Sequence, residues 1–187
     1  MNGFRFVVLA LLVLFILGGC AGTKGGSSSP CPEWFTRLPE DPNYLFAAAT
    51  ATSRDLQLAI NKAETEGRRK IASTMEVRIK GLTKKFDEEV GLGEDAELLA
   101  SYTQVTKEVI SQTLTGSRAK EQSTNKEGTG WRACVLMEMP IGAANAALVD
   151  RIKANEKMYT RFRASQTFKE LEEEVEQYEK YKEKQGM

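Results

Sequence analysis

The sequence contains no histidine, and its 187 residues include only three cysteines. Histidine is the side chain most often used for proton transfer near neutral pH, and it is the commonest metal ligand. Without histidine, the cysteines are too few for a zinc site. These absences argue against catalysis and against a metal centre. We therefore expect a protein that is not an enzyme and that binds no cofactor.

The chain also lacks an excess of charge of either sign. Lysine and arginine together number 26, as do aspartate and glutamate. A protein that binds the nucleic-acid backbone needs a basic excess on one face, so we expect no nucleic-acid partner. The basic clusters 68–70 and 84–85 could contact anionic headgroups or cell-wall polymers. Because carboxylates are interleaved with them, a solvated face of mixed charge is the favoured interpretation.

A long apolar run is present at the N-terminus. Arg5 is the only charged residue before position 20, and residues 6–17 are all apolar. This length suits the core of an export signal and is too short for a typical membrane-spanning helix. The following residues, Leu17–Cys20, look like a bacterial lipobox, in which the cysteine thiol accepts lipid. We expect residues 1–19 to be a cleaved signal peptide and Cys20 to be lipidated; the alternative is an uncleaved anchor with an incidental cysteine.

Residues 20–30 predict a short flexible tether. The segment 21–30 is rich in glycine and serine, and such a chain spans about 18 Å on average and at most about 33 Å. The folded domain should therefore stay close to the membrane. Lipoproteins that are retained in the inner membrane resemble one another in having aspartate directly after the lipidated cysteine. This chain has Ala21 at that position. That comparison implies an outer-membrane location, with the domain in the periplasm or exposed at the surface.

The remaining sequence predicts one α+β domain over residues 31–164, followed by a charged C-terminal helix over 165–187. The expected core is a small antiparallel sheet of about three strands packed against one long helix. Further helices, including the C-terminal one, complete the fold. Hydrophobic periodicity and turn residues predict strand 44–50, helix 55–90, helix 94–113, edge strand 114–124, hairpin loop 125–130, strand 131–139, and helix from 141 to near 182 with a break around Ser165.

Two cysteines, Cys31 and Cys134, lie beyond the lipobox. An exported protein meets a compartment that oxidises thiols. Alternation along the predicted strand places Cys134 on the face opposite Trp131. If the segment Pro32–Trp34 covers that face, the two thiols come together. A disulfide and two free thiols are both open at this point.

The C-terminal helix carries a narrow apolar seam on an otherwise strongly polar surface. Its members recur at steps of three, four and three residues: Phe168, Leu171, Val175 and Tyr178. Packing of the seam on its own domain is the simpler interpretation. The sharper hypothesis is a helix from residue 166 to about 182 that extends from the domain and docks onto a second copy or another envelope protein.

Five features in order carry a family resemblance. They are the lipobox cysteine, the segment Pro32–Trp34, the strand beginning Tyr44-Leu45-Phe46, the helix segment 56–68 and the hairpin into Trp131–Met139. Together they resemble the Lpp-twenty family of small bacterial outer-membrane lipoproteins, which has a flagellar lipoprotein among its relatives. The resemblance implies a non-catalytic envelope domain with a structural or interaction role, assembly being one candidate. The alternative is a binding module for a lipid or small hydrophobic ligand between helix and sheet.

Overall fold

The computed structural model describes residues 30–186. The expected signal peptide, Cys20 and most of the tether lie outside these residues. The prediction of an α+β fold, with a small antiparallel sheet, a long helix and a long C-terminal helix, is confirmed. Within residues 30–186 the strands are β1 (Tyr44–Ser53), β2 (Arg118–Glu127) and β3 (Gly130–Pro140), and the helices are α1 (Leu56–Val90), α2 (Ala96–Thr115), α3 (Ile141–Ala154), α4 (Glu156–Phe162) and α5 (Gln166–Gln185).

The sheet has the order β1-β3-β2, and both pairings are antiparallel. The central strand, β3, is the most apolar of the three, which agrees with its burial between two neighbours. The hairpin between β2 and β3 is tighter than the predicted loop 125–130. Residues 125–127 pair with β3, and the turn is confined to Gly128 and Thr129. The polar side chains that suggested a loop are compatible with a strand here because β2 is an exposed edge strand.

Helix α1 packs across the inner face of the sheet. It begins where the Asp55 carboxylate accepts a hydrogen bond from the Leu58 amide at 2.7 Å, and it ends at Gly91, whose φ is 63°. Gly67 brings the helix close to the sheet, since a Cβ there would lie 2.4 Å from the Met137 side chain. The residues that α1 buries recur at helical spacing: Ala59, Ala63, Gly67, Ile71, Met75 and Phe86.

Beyond the sheet, α1 continues into a cluster of aromatic rings. The rings of Phe86 and Phe162 stack at 4.4 Å between centroids. Tyr102 packs edge-on against both of them. This cluster joins α1, α2 and α4 into the same core as the sheet. The length of α1 therefore connects two halves of one hydrophobic core.

Three helices occupy the segment predicted as one helix with a break around Ser165. The expected break is present, and the Ser165 hydroxyl caps α5 by accepting a hydrogen bond from the Phe168 amide at 3.2 Å. A second break falls at Asn155, whose side chain accepts from the Met158 amide at 3.0 Å. Both residues are good N-caps, because a short polar side chain satisfies a helix amide that has no partner within the helix.

The seam on α5 packs on its own domain, as the simpler interpretation predicts. Phe168, Leu171 and Tyr178 are at most 8% exposed, and the half-buried Val175 packs against the same core. Helix α5 lies against α3 and α1. Gly142 of α3 permits this approach, since a Cβ there would lie 2.2 Å from the Tyr178 ring.

The predicted division between residues 164 and 165 is consequently not a domain boundary. Phe168 and Leu171 belong to the same hydrophobic cluster as the sheet and α1. The seam is narrow because only one face of α5 is covered, and α3 and α1 supply that cover.

Candidate functional site

The outer face of the sheet, turned away from α1, carries the features not explained by the helical core. In β3 it presents Arg132, Cys134, Leu136 and Glu138, and their neighbours in register on β1 include Phe46, Ala48 and Thr50. We use the name outer face for this surface. Cys134, Leu136 and Glu138 are at most 5% exposed although α1 packs on the opposite face of the sheet. Their burial requires a second cover.

The N-terminal segment provides much of this cover. Cys31 forms a disulfide with Cys134, with 5.7 Å between the two Cα atoms. The bond was left open by the sequence and is present in the structure. A single 3₁₀ turn, Glu33–Phe35, then contacts β3 and β1. The proposed placement of Pro32–Trp34 over this face is thus what the structure shows.

Contacts at Pro30 and Cys31 also fix the start of the described chain on the outer face. The Asn125 side-chain amide donates to the Pro30 carbonyl at 2.7 Å. The disulfide at the next residue, Cys31, fixes the segment at the middle strand. Pro30 therefore lies at the outer face, beside the β2–β3 hairpin.

The segment 34–38 presents a small apolar surface to solvent. The rings of Trp34 and Phe35 are half-buried, with 6.4 Å between centroids. Leu38 is 45% exposed. On the β1 side, Phe35 and Leu38 border an open groove that also contains Phe46 and Lys70. The aromatic pair covers part of the sheet, while part of its own surface remains accessible.

A second feature of the outer face is a buried carboxylate held by two cations. Glu138 accepts from Arg118 Nε at 2.8 Å and lies 3.3 Å from Lys120 Nζ. The side chain of Glu138 is 7% exposed, whereas those of Arg118 and Lys120 are 74% and 41% exposed. A bulge in β2 at Lys120 turns this lysine onto the same face, and its ammonium lies 4.8 Å from the centre of the Phe46 ring.

The same end of the outer face contains two tyrosines. Tyr44 stacks on Phe46 and meets Tyr181 of α5 edge-on. Burial is the main cause that raises the pKa of Tyr44 above its usual value, and the neighbouring Tyr181 and Glu138 raise it further. The phenol therefore stays protonated at neutral pH. Sequence reasoning missed this cluster, although a glutamate inside the most apolar strand was a usable signal.

Removing both cations from Glu138 should destabilise the protein more than the two single changes added together. In Arg118→Ala or Lys120→Ala, the carboxylate keeps one partner, and we expect losses below about 1 kcal/mol. In the double variant the buried charge is unpaired, and we expect a loss of about 3 kcal/mol. Urea denaturation measures each change, with Lys126→Ala as a control on the same strand. Additive losses would show that Glu138 does not need the pair.

Two kinds of feature are absent from the described part of the chain. Within residues 30–186, no group of three or more acidic or cysteine side chains is arranged to hold a metal ion. No helix in that range is long and apolar enough to cross a bilayer. The carboxylate that is buried on the outer face is already paired with two cations.

Comparisons with known proteins do not assign the chain to a class. No protein-family model matches it. No curated protein matches it either. The resemblance to the Lpp-twenty family therefore stays a prediction that depends on the motifs and their order.

Proposed function

We propose that the chain is a lipid-anchored protein of the bacterial envelope with a non-catalytic structural or interaction role. Cys20 carries the lipid, residues 21–29 form the tether, and the α+β domain presents its surfaces next to the outer membrane. Two or three acyl chains would hold the protein permanently, because each buried methylene contributes about 0.8 kcal/mol.

The observation that carries the proposal is the disulfide between Cys31 and Cys134. Stable disulfides are typical of exported proteins and are rare in the reducing cytosol. This bond joins the residues directly after the predicted tether to the centre of the sheet. It supports export, and it agrees with the signal-like N-terminus and the lipobox at Leu17–Cys20.

The geometry gives less support to a ligand carried between helix and sheet. Ala63, Ile71 and Met75 of α1 are at most 1% exposed, and Gly67 lies directly against Met137. Side chains fill this interface, so a ligand there would have to displace the core. We therefore place the interaction role on the surface of the domain.

Replacing the lipobox cysteine should abolish anchoring. In Cys20→Ser no thiol is available for acylation, so we expect an uncleaved precursor without lipid that is mislocalised. Intact-mass spectrometry and membrane fractionation of the expressed full chain measure this, with Ser28→Ala as a control in the tether. A Cys20→Ser protein that still fractionates as a mature acylated species would contradict the proposal.

Native mass measurement of the detergent-extracted protein separates the interaction role from ligand carriage. A defined oligomer, or a complex with another envelope protein, supports the interaction role. A monomer that retains a bound lipid other than its anchor would contradict it and favour the binding module.

A further inference from the structure

We propose that the outer face of the sheet is the surface that lies against the membrane, with Trp34, Phe35 and Leu38 at the level of the lipid headgroups. The inference rests on the proposed lipidation of Cys20. It goes further by naming the partner of this surface, which is the bilayer leaflet that holds the anchor.

The tether meets the domain on the outer face of the sheet. Residues 21–29 reach about 30 Å when fully extended and about 17 Å on average. They end at Pro30, which Asn125 holds on the outer face, and the disulfide of Cys31 follows immediately. The lipid is thus connected to the outer face of the sheet.

The layered structure of the domain then favours one orientation of the sheet relative to the bilayer. Helix α1 has 35 residues and is about 52 Å long, and it covers the inner face of the sheet. To place α1 against the bilayer, the tether would have to pass around an edge of the sheet and then across the helix layer, which is about 10 Å thick. With the outer face toward the bilayer, the tether needs no such path. Helix α1 then lies on the side of the sheet that faces away from the membrane.

The segment that crosses the outer face exposes apolar and aromatic side chains suited to a membrane interface. Leu38 is 45% exposed, and Trp34 and Phe35 keep part of their rings accessible. Tryptophan is enriched at the headgroup level because its ring is apolar and its N–H can still meet polar groups. Contact with the interface would remove this apolar surface from water.

We do not attribute the contact between the outer face and the bilayer to charge. The lipid anchor already holds the domain at the membrane, so electrostatic attraction is not required. Arg37 is paired with Glu33 at 2.8 Å, and Lys70 donates to the Ala48 carbonyl at 2.8 Å. Both of these cations therefore already have a partner within the domain. A lipid anchor converts a weak surface contact into an intramolecular one with a high effective concentration. A few apolar side chains are then enough to favour one orientation.

The test uses tryptophan quenching in the complete lipidated protein. Trp131→Phe leaves Trp34 as the only tryptophan of the chain. The matched control combines Trp34→Phe, Trp131→Phe and Tyr159→Trp, and so reports from α4, which packs on α1, α2 and α3. Both proteins are reconstituted into phosphatidylcholine vesicles containing a phospholipid with a spin label at the headgroup. Mass spectrometry and flotation first establish acylation and vesicle binding.

We expect Trp34 to be quenched several-fold more strongly than the tryptophan at position 159. Equal quenching at both positions, or no quenching of Trp34 in protein that is acylated and floats with the vesicles, would overturn the inference while leaving the anchor intact. Protein that lacks an acyl group on Cys20 would overturn the proposed function, and the membrane-facing surface would fall with it.

Discussion

A chain truncated after Ala164 should fail to fold cooperatively. The truncation removes Phe168, Leu171 and Tyr178, which are at most 8% exposed in the native core. Loss of one buried leucine or phenylalanine side chain costs about 2–5 kcal/mol, whereas a whole domain is stable by only about 5–15 kcal/mol. The truncation would also expose the faces of α3 and α1 that α5 covers. We expect a molten or aggregating chain, detected by loss of near-ultraviolet circular dichroism and of a sigmoidal urea transition.

A second truncation provides the control. A chain ending at Lys182 keeps all three buried side chains and loses mainly exposed residues at the end of α5. It should unfold at nearly the same urea concentration as the full chain. If the chain ending at Ala164 also kept a cooperative transition near that concentration, α5 would not be part of the core.

A hydrogen-bonded carboxylate makes part of the contact between α1 and α5 dependent on pH. Glu89 on α1 accepts hydrogen bonds from the amide and the hydroxyl of Thr167 at the start of α5. The Thr167 hydroxyl bond is the main reason that the pKa of Glu89 lies below its usual value. The stabilisation is present above the ordinary carboxylate pKa and is lost as the pH falls through the lowered one. This contact therefore helps to dock α5 at neutral pH.

Loss of the Cys31–Cys134 bond should be the next largest effect. The bond joins residues 103 apart in sequence. Opening a loop of this size lowers the free energy of unfolding by up to about 4.7 kcal/mol in the chain-entropy model. We expect the double variant Cys31→Ser, Cys134→Ser to unfold at clearly lower urea concentration than the oxidised wild type. It should still reach the same fold, because the helical core does not contain the bond.

Chemical reduction separates the bond from the side chains. The reduced wild type should lose about as much stability as the double variant, and the variant itself should not respond to a reductant. Both measurements use urea denaturation of the purified chain. If the oxidised and the reduced wild type unfolded at the same urea concentration, the disulfide would contribute nothing to stability.

Much of the architecture could be predicted because hydrophobic periodicity is a local property. The strand over 131–139 and the long helix over 55–90 were placed within a few residues of β3 and α1. The alternation in β3 also assigned the correct face to Trp131, Val135 and Met137, which lie on the core side. Polar β2 was harder to bound, since an exposed edge strand and a loop have similar composition.

What each apolar surface packs against could not be predicted in the same way. The seam on α5 was correctly identified as apolar, but a narrow stripe indicates only that a helix packs, and not what it packs against. Gly142 made the difference, because its missing side chain lets the Tyr178 ring approach α3. The cluster around Glu138 was missed for a related reason. Arg118 and Lys120 are far from Glu138 in sequence, and strand pairing with a bulge brings them together.

The sequence by itself determined the α+β class, the position and facing of β3, the length of α1 and the two cysteines available for bonding. These follow from side-chain spacing along a single element, which neighbouring residues set. Only the tertiary structure decided that α5 belongs to the core, that Cys31 reaches Cys134 and that the N-terminal segment enters on the outer face. Each of these depends on which surfaces meet at close range, and that is settled by packing among residues distant in the chain.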